Sequence, residues 1–176
     1  MTRAASPLVT VTTERLSLRP PVLEDFTIIG LLWSDPAVIR HIGGSPSSKQ
    51  ELWEKLLRSA GNWALLGYGP FLVRERSSGR FMGEVGYFDR HRDIEPSYDN
   101  VPEIGWALMP WAHGQGFAGE AVRAVQAWFE AAFGAQRTVC LIDPDNAPSL
   151  RLADRCGFRE IARTRYKGRP AIILER

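Results

Sequence analysis

Cysteine is scarce in this chain of 176 residues, which carries only Cys140 and Cys156. Two cysteines make no disulfide framework, and the pattern fits a reducing, cytoplasmic compartment. Histidine is scarce too. His41, His91 and His113 have no metal-ligand spacing among themselves or with the cysteines, so no metal is expected. Both cysteines sit in packing contexts without an obvious base beside them, which argues against a thiolate nucleophile. Charge of one sign is missing as well: 22 Lys and Arg against 20 Asp and Glu leave a net charge of +2. That balance argues for neither nucleic acid nor membrane as a partner. No apolar run approaches the roughly 20 residues of a membrane span, and the first seven residues lack the apolar core of a secretory signal. Internal repeats and low-complexity segments are absent.

What remains is an ordinary globular mixture, 44% hydrophobic and 24% charged. The length fits one domain over residues 1–176, with 1–8 as a loose tail. A domain of this size buries about 70% of its unfolded surface. Thr12 to Arg19 alternates and reads as a strand with Leu16 and Leu18 inward. Leu23 to Leu32 recurs at helical spacing, with Glu24 and Asp25 suited to its positive end. Ser34-Asp35-Pro36 breaks it and starts a short second segment, Ala37 to Ile42. Gly43 to Ser48 is a loop, and Gln50 to Trp63 is the next helix. Gly69 to Glu75 and Arg80 to Phe88 flank the turn Ser77-Ser78-Gly79 and form a hairpin. Asp89 to Pro102 reads as an exposed loop.

Glu103 to Met109 is a strand, followed by Gly114-Gln115-Gly116-Phe117-Ala118-Gly119. The clearest helix in the chain follows, with Ala121, Val122, Val125, Trp128, Phe129 and Phe133 on one face and Gly134 as its C-terminal cap. Arg137 to Ile142 is a β-branched strand, and the short link favours a parallel strand–helix–strand unit. Ser149 to Cys156 forms a short helix after Pro148. Phe158 to Tyr166 and Arg169 to Leu174 are the last strands, around Lys167-Gly168. The expected fold is α/β (α+β): a mixed central sheet of about seven strands, antiparallel hairpins first, then a βαβ half, with helices on both faces. The glycine loop leaves its backbone bare at the start of a helix, where unpaired N–H groups and the helix dipole favour an anion. A plain strand-to-helix turn explains the same glycines equally well.

Four segments in this order resemble the GNAT superfamily of acyl-CoA-dependent N-acetyltransferases, and within it the Rim-type ribosomal-protein N-terminal acetyltransferases. They are Thr13 to Arg19, Glu103-Ile104-Gly105-Trp106, Gly114 to Ala121, and Asn146-Ala147-Pro148-Ser149 with Gly157-Phe158. The resemblance runs from about Thr13 to the C-terminus. One position departs from it: His113 stands where the family often has Gln or Arg, three residues before Gly116. The resemblance implies acetyl-CoA as acyl donor and an amine acceptor, with a protein or peptide N-terminus ahead of a small amine or antibiotic, acting as monomer or homodimer. It implies the CoA diphosphate on the N–H groups of Gly114, Gln115, Gly116, Phe117, Ala118 and Gly119. The pantetheine arm would lie along backbone groups of Ala107, Leu108 and Met109 and against Asn146. Ser149 is the candidate general acid, in a position where many relatives carry tyrosine; a helix-start residue that bonds a backbone N–H is its structural alternative. Glu103 is the candidate base, acting through water, and Glu84 on the neighbouring strand is a second candidate. Trp33, Trp63 and Trp111 are core or cleft residues, and Arg151 and Arg155 either reach the 3′-phosphate of CoA or form a solvated helix face. Two rival readings are a CoA-binding module without catalysis and a nucleotide-binding domain; the second lacks an acidic residue at the ribose position.

Overall fold

The computed structural model describes residues 9–176, so the loose tail expected at 1–8 lies outside the described residues. The first strand is broken in two, β1 (Val11–Thr12) and β2 (Leu16–Arg19), which pair antiparallel. The break has a cause 105 residues away in sequence from Arg15. The Glu120 carboxylate accepts hydrogen bonds from the Thr13 hydroxyl and from both the backbone N–H and the guanidinium of Arg15, and pulls the chain into a turn between the strands.

The helix expected at Leu23 opens with one 3₁₀ turn, Leu23–Asp25, before α1 (Phe26–Ser34). Asp25 is buried at the junction. Its carboxylate accepts two bonds from Arg19 and one from the Val22 N–H. Asp35 then caps α2 (Pro36–Ile39) by accepting from the Ala37 N–H. The next helix, α3 (Lys49–Leu66), outruns its expected end by three residues. A Ser48–Glu51 capping box starts it, and Gly67, at φ +74°, ends it.

β3 (Pro70–Glu75) and β4 (Phe81–Phe88) form the expected hairpin. β5 (Glu103–Leu108), α4 (Phe117–Phe133), β6 (Val139–Ile142), α5 (Ala147–Arg155), β7 (Arg159–Tyr166) and β8 (Arg169–Glu175) complete the chain. Eight strands make one sheet, ordered β1-β2-β3-β4-β5-β6-β8-β7. The eighth strand comes from the division of the first one. Every neighbouring pair is antiparallel except β5 and β6, which run parallel and are matched at Glu103 and Val139 alone.

One face of the sheet packs on α4 and α5, through Leu16, Leu18, Phe71, Val85, Ile104, Val125 and Phe129. The other packs on α1, α2 and α3, through Ile29, Leu32, Leu56, Leu72 and Ala107. Trp63 belongs to the first core, where it meets Phe71 and Trp128 and donates its indole N–H to the Pro70 carbonyl. The segment 89–102 is less exposed than its composition implies. Ile94 and Tyr98 are buried against Val139 and Ile173.

Candidate active site

Because β5 and β6 pair at a single position, the sheet opens beyond it toward the C-terminal ends of both strands. The chain leaves β5 into the glycine loop and α4, and leaves β6 into Asn146 and α5, so both segments flank one end of the opening. A cavity of about 140 Å³ fills it, lined among others by Trp33, Glu84, Glu103, Trp106, Asn146 and Ser149. Alternation along β5 puts Trp106 with Ile104 on the α4 face and Ala107 with Glu84 on the α3 face. The cavity therefore connects the two faces of the sheet.

Three helices start with a side-chain cap: α2 with Asp35, α3 with Ser48 and α5 with Asn146. α4 has none. Its N-cap is Gly116 at φ +80°, which has no side chain to offer. The first N–H groups of α4 accordingly stay open at the positive end of a 17-residue helix. The preceding loop is braced from behind. Arg15 donates to the Gln115 carbonyl and lies over the Phe117 ring, and the Gln115 amide donates to the Trp111 carbonyl. Phe117 is buried, so it faces a ligand with its backbone only. The His113 Nε2 lies 2.8 Å from the Leu108 carbonyl oxygen.

Hydrogen-bond direction sorts the β5 backbone. The Met109 N–H donates to the Met82 carbonyl of β4, and the Val139 N–H of β6 donates to the Pro102 carbonyl. With period two, Ala107 and Met109 turn their backbone groups to β4, while Trp106 and Leu108 turn theirs to the open side. Of the three residues expected along the pantetheine arm, Leu108 alone has that orientation, and Trp106 joins it. Strand pairing, not composition, decides this, and only the register reveals it.

Asn146 and Ser149 have divided the roles considered for Ser149. Asn146 Oδ1 accepts the Ser149 backbone N–H at 3.2 Å and so caps α5. The Ser149 hydroxyl is thereby spared the cap and instead accepts the Trp106 indole N–H at 3.2 Å. With one lone pair engaged, its O–H proton remains to be donated.

Glu103 is buried at the start of β5, 4% exposed. Arg92 grips both its oxygens at 2.7 Å, the Tyr98 hydroxyl donates at 2.9 Å, and Arg90 Nε stands 3.2 Å from Oε1. Burial opposes the charged form, but the Arg92 hydrogen bonds and the charges of Arg90 and Arg92 outweigh it and hold the carboxyl below its ordinary pKa. The same carboxylate pushes the Tyr98 phenol, already raised by burial, further up. Through these partners Glu103 fastens the 89–102 segment to the sheet.

Glu84 differs. It is 6% exposed on the α3 side of the cavity, and burial raises its pKa, with Lys55, Arg90 and Arg58 offsetting part of the rise. Lys55 packs 3.6 Å over the Trp33 ring. Burial pulls its ammonium down to about 8, with Glu84 acting in the opposite sense. Cys140 is in the cavity wall, and burial pushes its thiol up, well away from a thiolate. Trp111 lies under the Arg80 guanidinium rather than in the cavity. Among the described residues no cluster of three or more His, Cys, Asp or Glu could hold a metal ion, and no helix is long and apolar enough to cross a membrane.

An open helix start and a parted sheet, placed at the same strand ends, suit a transferase that holds an acyl-CoA along a strand edge. The acetyltransferase (GNAT) domain family matches residues 15–159, and the chain belongs to it. The Bacillus subtilis protein YkkB is 30% identical over 174 residues, covering 93% of each chain. The N-acetyltransferase p20 of Bacillus licheniformis is 26% identical over 152 residues, covering 86% of this chain and 83% of its own. A structure from Bordetella pertussis described as a GnaT-family acetyltransferase superposes with a TM-score of 0.87 at 32% identity, over 96% of this chain and 99% of that one. The chain is thus a GNAT N-acetyltransferase with acetyl-CoA as its donor. Two remoter structures of the same fold are complexes with coenzyme A. One is the aminoglycoside acetyltransferase AAC(6')-Ib, with a TM-score of 0.75, 17% identity and 92% and 94% of the two chains covered. The other is the ribosomal L7/L12 α-N-protein acetyltransferase RimL, with 0.76, 14%, and 96% and 97%. The likeness to Rim-type enzymes is one of fold at that distance.

Proposed function

We propose that the enzyme moves an acetyl group from acetyl-CoA to the α-amine of a peptide or protein by direct attack in a ternary complex. The observation that carries this reading is the opening between β5 and β6, which joins the two faces of the sheet; the open start of α4 follows the C-terminal end of β5 without lining the cavity. The diphosphate fits the N–H groups at Gly114 to Gly119, and the pantetheine amides fit the edge formed by Trp106 and the Leu108 N–H, the Leu108 carbonyl being already met by His113. Asn146 positions Ser149 rather than the arm alone. The amine attacks the thioester carbonyl carbon, the C–S bond breaks, and the Ser149 hydroxyl gives its proton to the departing sulfur. No covalent enzyme intermediate is needed, which agrees with the buried, poorly acidic Cys140.

The acceptor class follows from acidity. An α-amine has a pKa near 8 and an alkyl amine one near 10.4. At pH 7 roughly one α-amine in ten is free base, against roughly one alkyl amine in 2,500. With the Glu103 oxygens already engaged, the more acidic ammonium suits the site better. A thiol-release assay with acetyl-CoA decides among N-terminal peptides, polyamines and aminoglycosides. Turnover restricted to the last two classes moves the acceptor to a small amine. Binding of acetyl-CoA by calorimetry without turnover on any amine makes the chain a CoA-binding module.

A further inference from the structure

Glu84 is a buried carboxyl that the fold does not use. Among the described residues it accepts no hydrogen bond and stands in no ion pair within 4.0 Å, yet its side chain lines the cavity. The contrast with its neighbours is informative. Asp25 is as deeply buried, and Arg19 and the Val22 N–H satisfy it. Glu103 shares the cavity, and Arg92 and Tyr98 satisfy it. A buried carboxylate without a donor costs several kcal/mol, so a fold that retains one leaves room for a donor from outside. Its neighbours give it charges at a distance, not bonds. Lys55 and Arg58 face it from α3, and Arg90 faces it from beyond the end of β4. Arg92, His41, Glu103 and Asp143 line the same cavity.

Position adds the second argument. Register pairs Glu84 with Ala107, on the α3 side of the sheet. Ser149 meets the Trp106 ring from the α5 side. The acid for the departing sulfur and the unpartnered carboxyl therefore flank the opening from opposite faces, as acceptor and donor substrates must.

Resting on the proposed acetyl transfer, we infer that Glu84 receives the acceptor ammonium and takes its proton as the amine attacks the thioester. The balance is complete. Glu84 takes one proton from the bound ammonium and passes it to solvent, which frees the nitrogen lone pair. That pair forms the C–N bond, the second N–H proton passes to the Glu84 carboxylate, the C–S pair leaves on sulfur, and the Ser149 proton neutralises it. Solvent then exchanges the two protons. Glu84 thus takes the role the sequence pattern gives first to Glu103.

The test uses the intact enzyme, with acetyl-CoA affinity by calorimetry as the check that each variant is folded. For wild type, kcat/KM with a peptide amide rises with pH along one limb set by the base. Glu84→Gln is expected to lower kcat about 10²-fold or more, to abolish that limb, and to leave acetyl-CoA affinity within twofold. Lys55→Met removes a cation facing Glu84, so the limb is expected to move to higher pH. Equal kcat and an unchanged limb in Glu84→Gln, or a limb that does not move in Lys55→Met, overturns the inference. If wild type acetylates no amine, the proposed function fails, and binding decides on Glu84 separately. A tripeptide amide with a free amino terminus is then compared with its N-acetylated form by tryptophan fluorescence. A tenfold preference for the free amine that is lost in Glu84→Gln upholds the assignment. No preference in wild type, or the same preference in both proteins, overturns it.

Discussion

Ser149 and Glu103 are set by their neighbours in opposite ways. The Ser149 hydroxyl is oriented by the Trp106 indole and released from capping by Asn146. Ser149→Ala is expected to lower kcat about 10- to 100-fold with little change in the KM for acetyl-CoA, measured by thiol release. Trp106→Phe removes the orienting N–H and is expected to give a smaller loss in the same direction. For Glu103 the expected signature of an anchor is structural. Glu103→Gln leaves Arg92 and Arg90 without their counter-charge, so the melting temperature falls while the pH dependence of kcat/KM keeps its shape. The folded pKa of Glu103 lies below the ordinary carboxylate value. Its contribution to stability is therefore present above the unfolded pKa and is lost as pH falls through the folded one. Unfolding midpoints of wild type and Glu103→Gln should begin to converge near the model-peptide value of about pH 4 and meet once pH is below the folded pKa.

Elements show the same dependence on context. The start of α4 is left open because Gly116 caps it with a positive φ and no side chain. A Cβ there would have room, since its nearest neighbour is Arg15 Nη2 at 3.5 Å, so backbone conformation is the constraint. Gly116→Val is strained at φ +80° and rotates the N–H groups away. The Kd for acetyl-CoA by calorimetry is expected to rise at least tenfold, while Gly134→Ala, at the other end of α4 and also at φ +80°, leaves it unchanged. β4 has a tighter requirement. A Cβ on Gly83 would stand 2.1 Å from the Ala107 carbonyl oxygen, in the ladder that holds Glu84 in place. Gly83→Ala is expected to cost about 2–4 kcal/mol in denaturant unfolding, because β4 and β5 must separate to admit it.

At the scale of the whole molecule, periodicity made the elements legible and pairing did not. The α4 stripe, the 70–88 hairpin and the last two strands follow from local spacing and turn residues, and the four ordered segments pointed to the GNAT fold. Long-range bonds decided what local spacing left open. Glu120 divides the first strand, Arg92 and Tyr98 occupy Glu103, and the register of β4 against β5 turns Ala107 and Met109 away from the open edge. The sequence offers Glu84 only as a second candidate behind Glu103. Its isolation comes from α3 covering the sheet, a contact between residues some 30 positions apart. Polar residues in 89–102 concealed the same kind of contact, since Ile94 and Tyr98 are the parts of that segment that the core holds.

The parting of β5 from β6 has a consequence for the energetics of the free protein. Past Glu103 and Val139, peptide groups that an intact ladder would pair face the cavity instead. A pantetheine arm alternates amides and methylenes much as a strand does, so in the proposed binding mode the donor substrate would complete the sheet as a detachable strand. Amide protons of Trp106 and Leu108 should exchange with deuterium faster than those of Ile104, and saturating acetyl-CoA should slow them selectively. At a ligand concentration 100 times Kd, mass action adds about 2.7 kcal/mol to the folded state, and the rise in melting temperature would report how far the substrate acts as part of the fold.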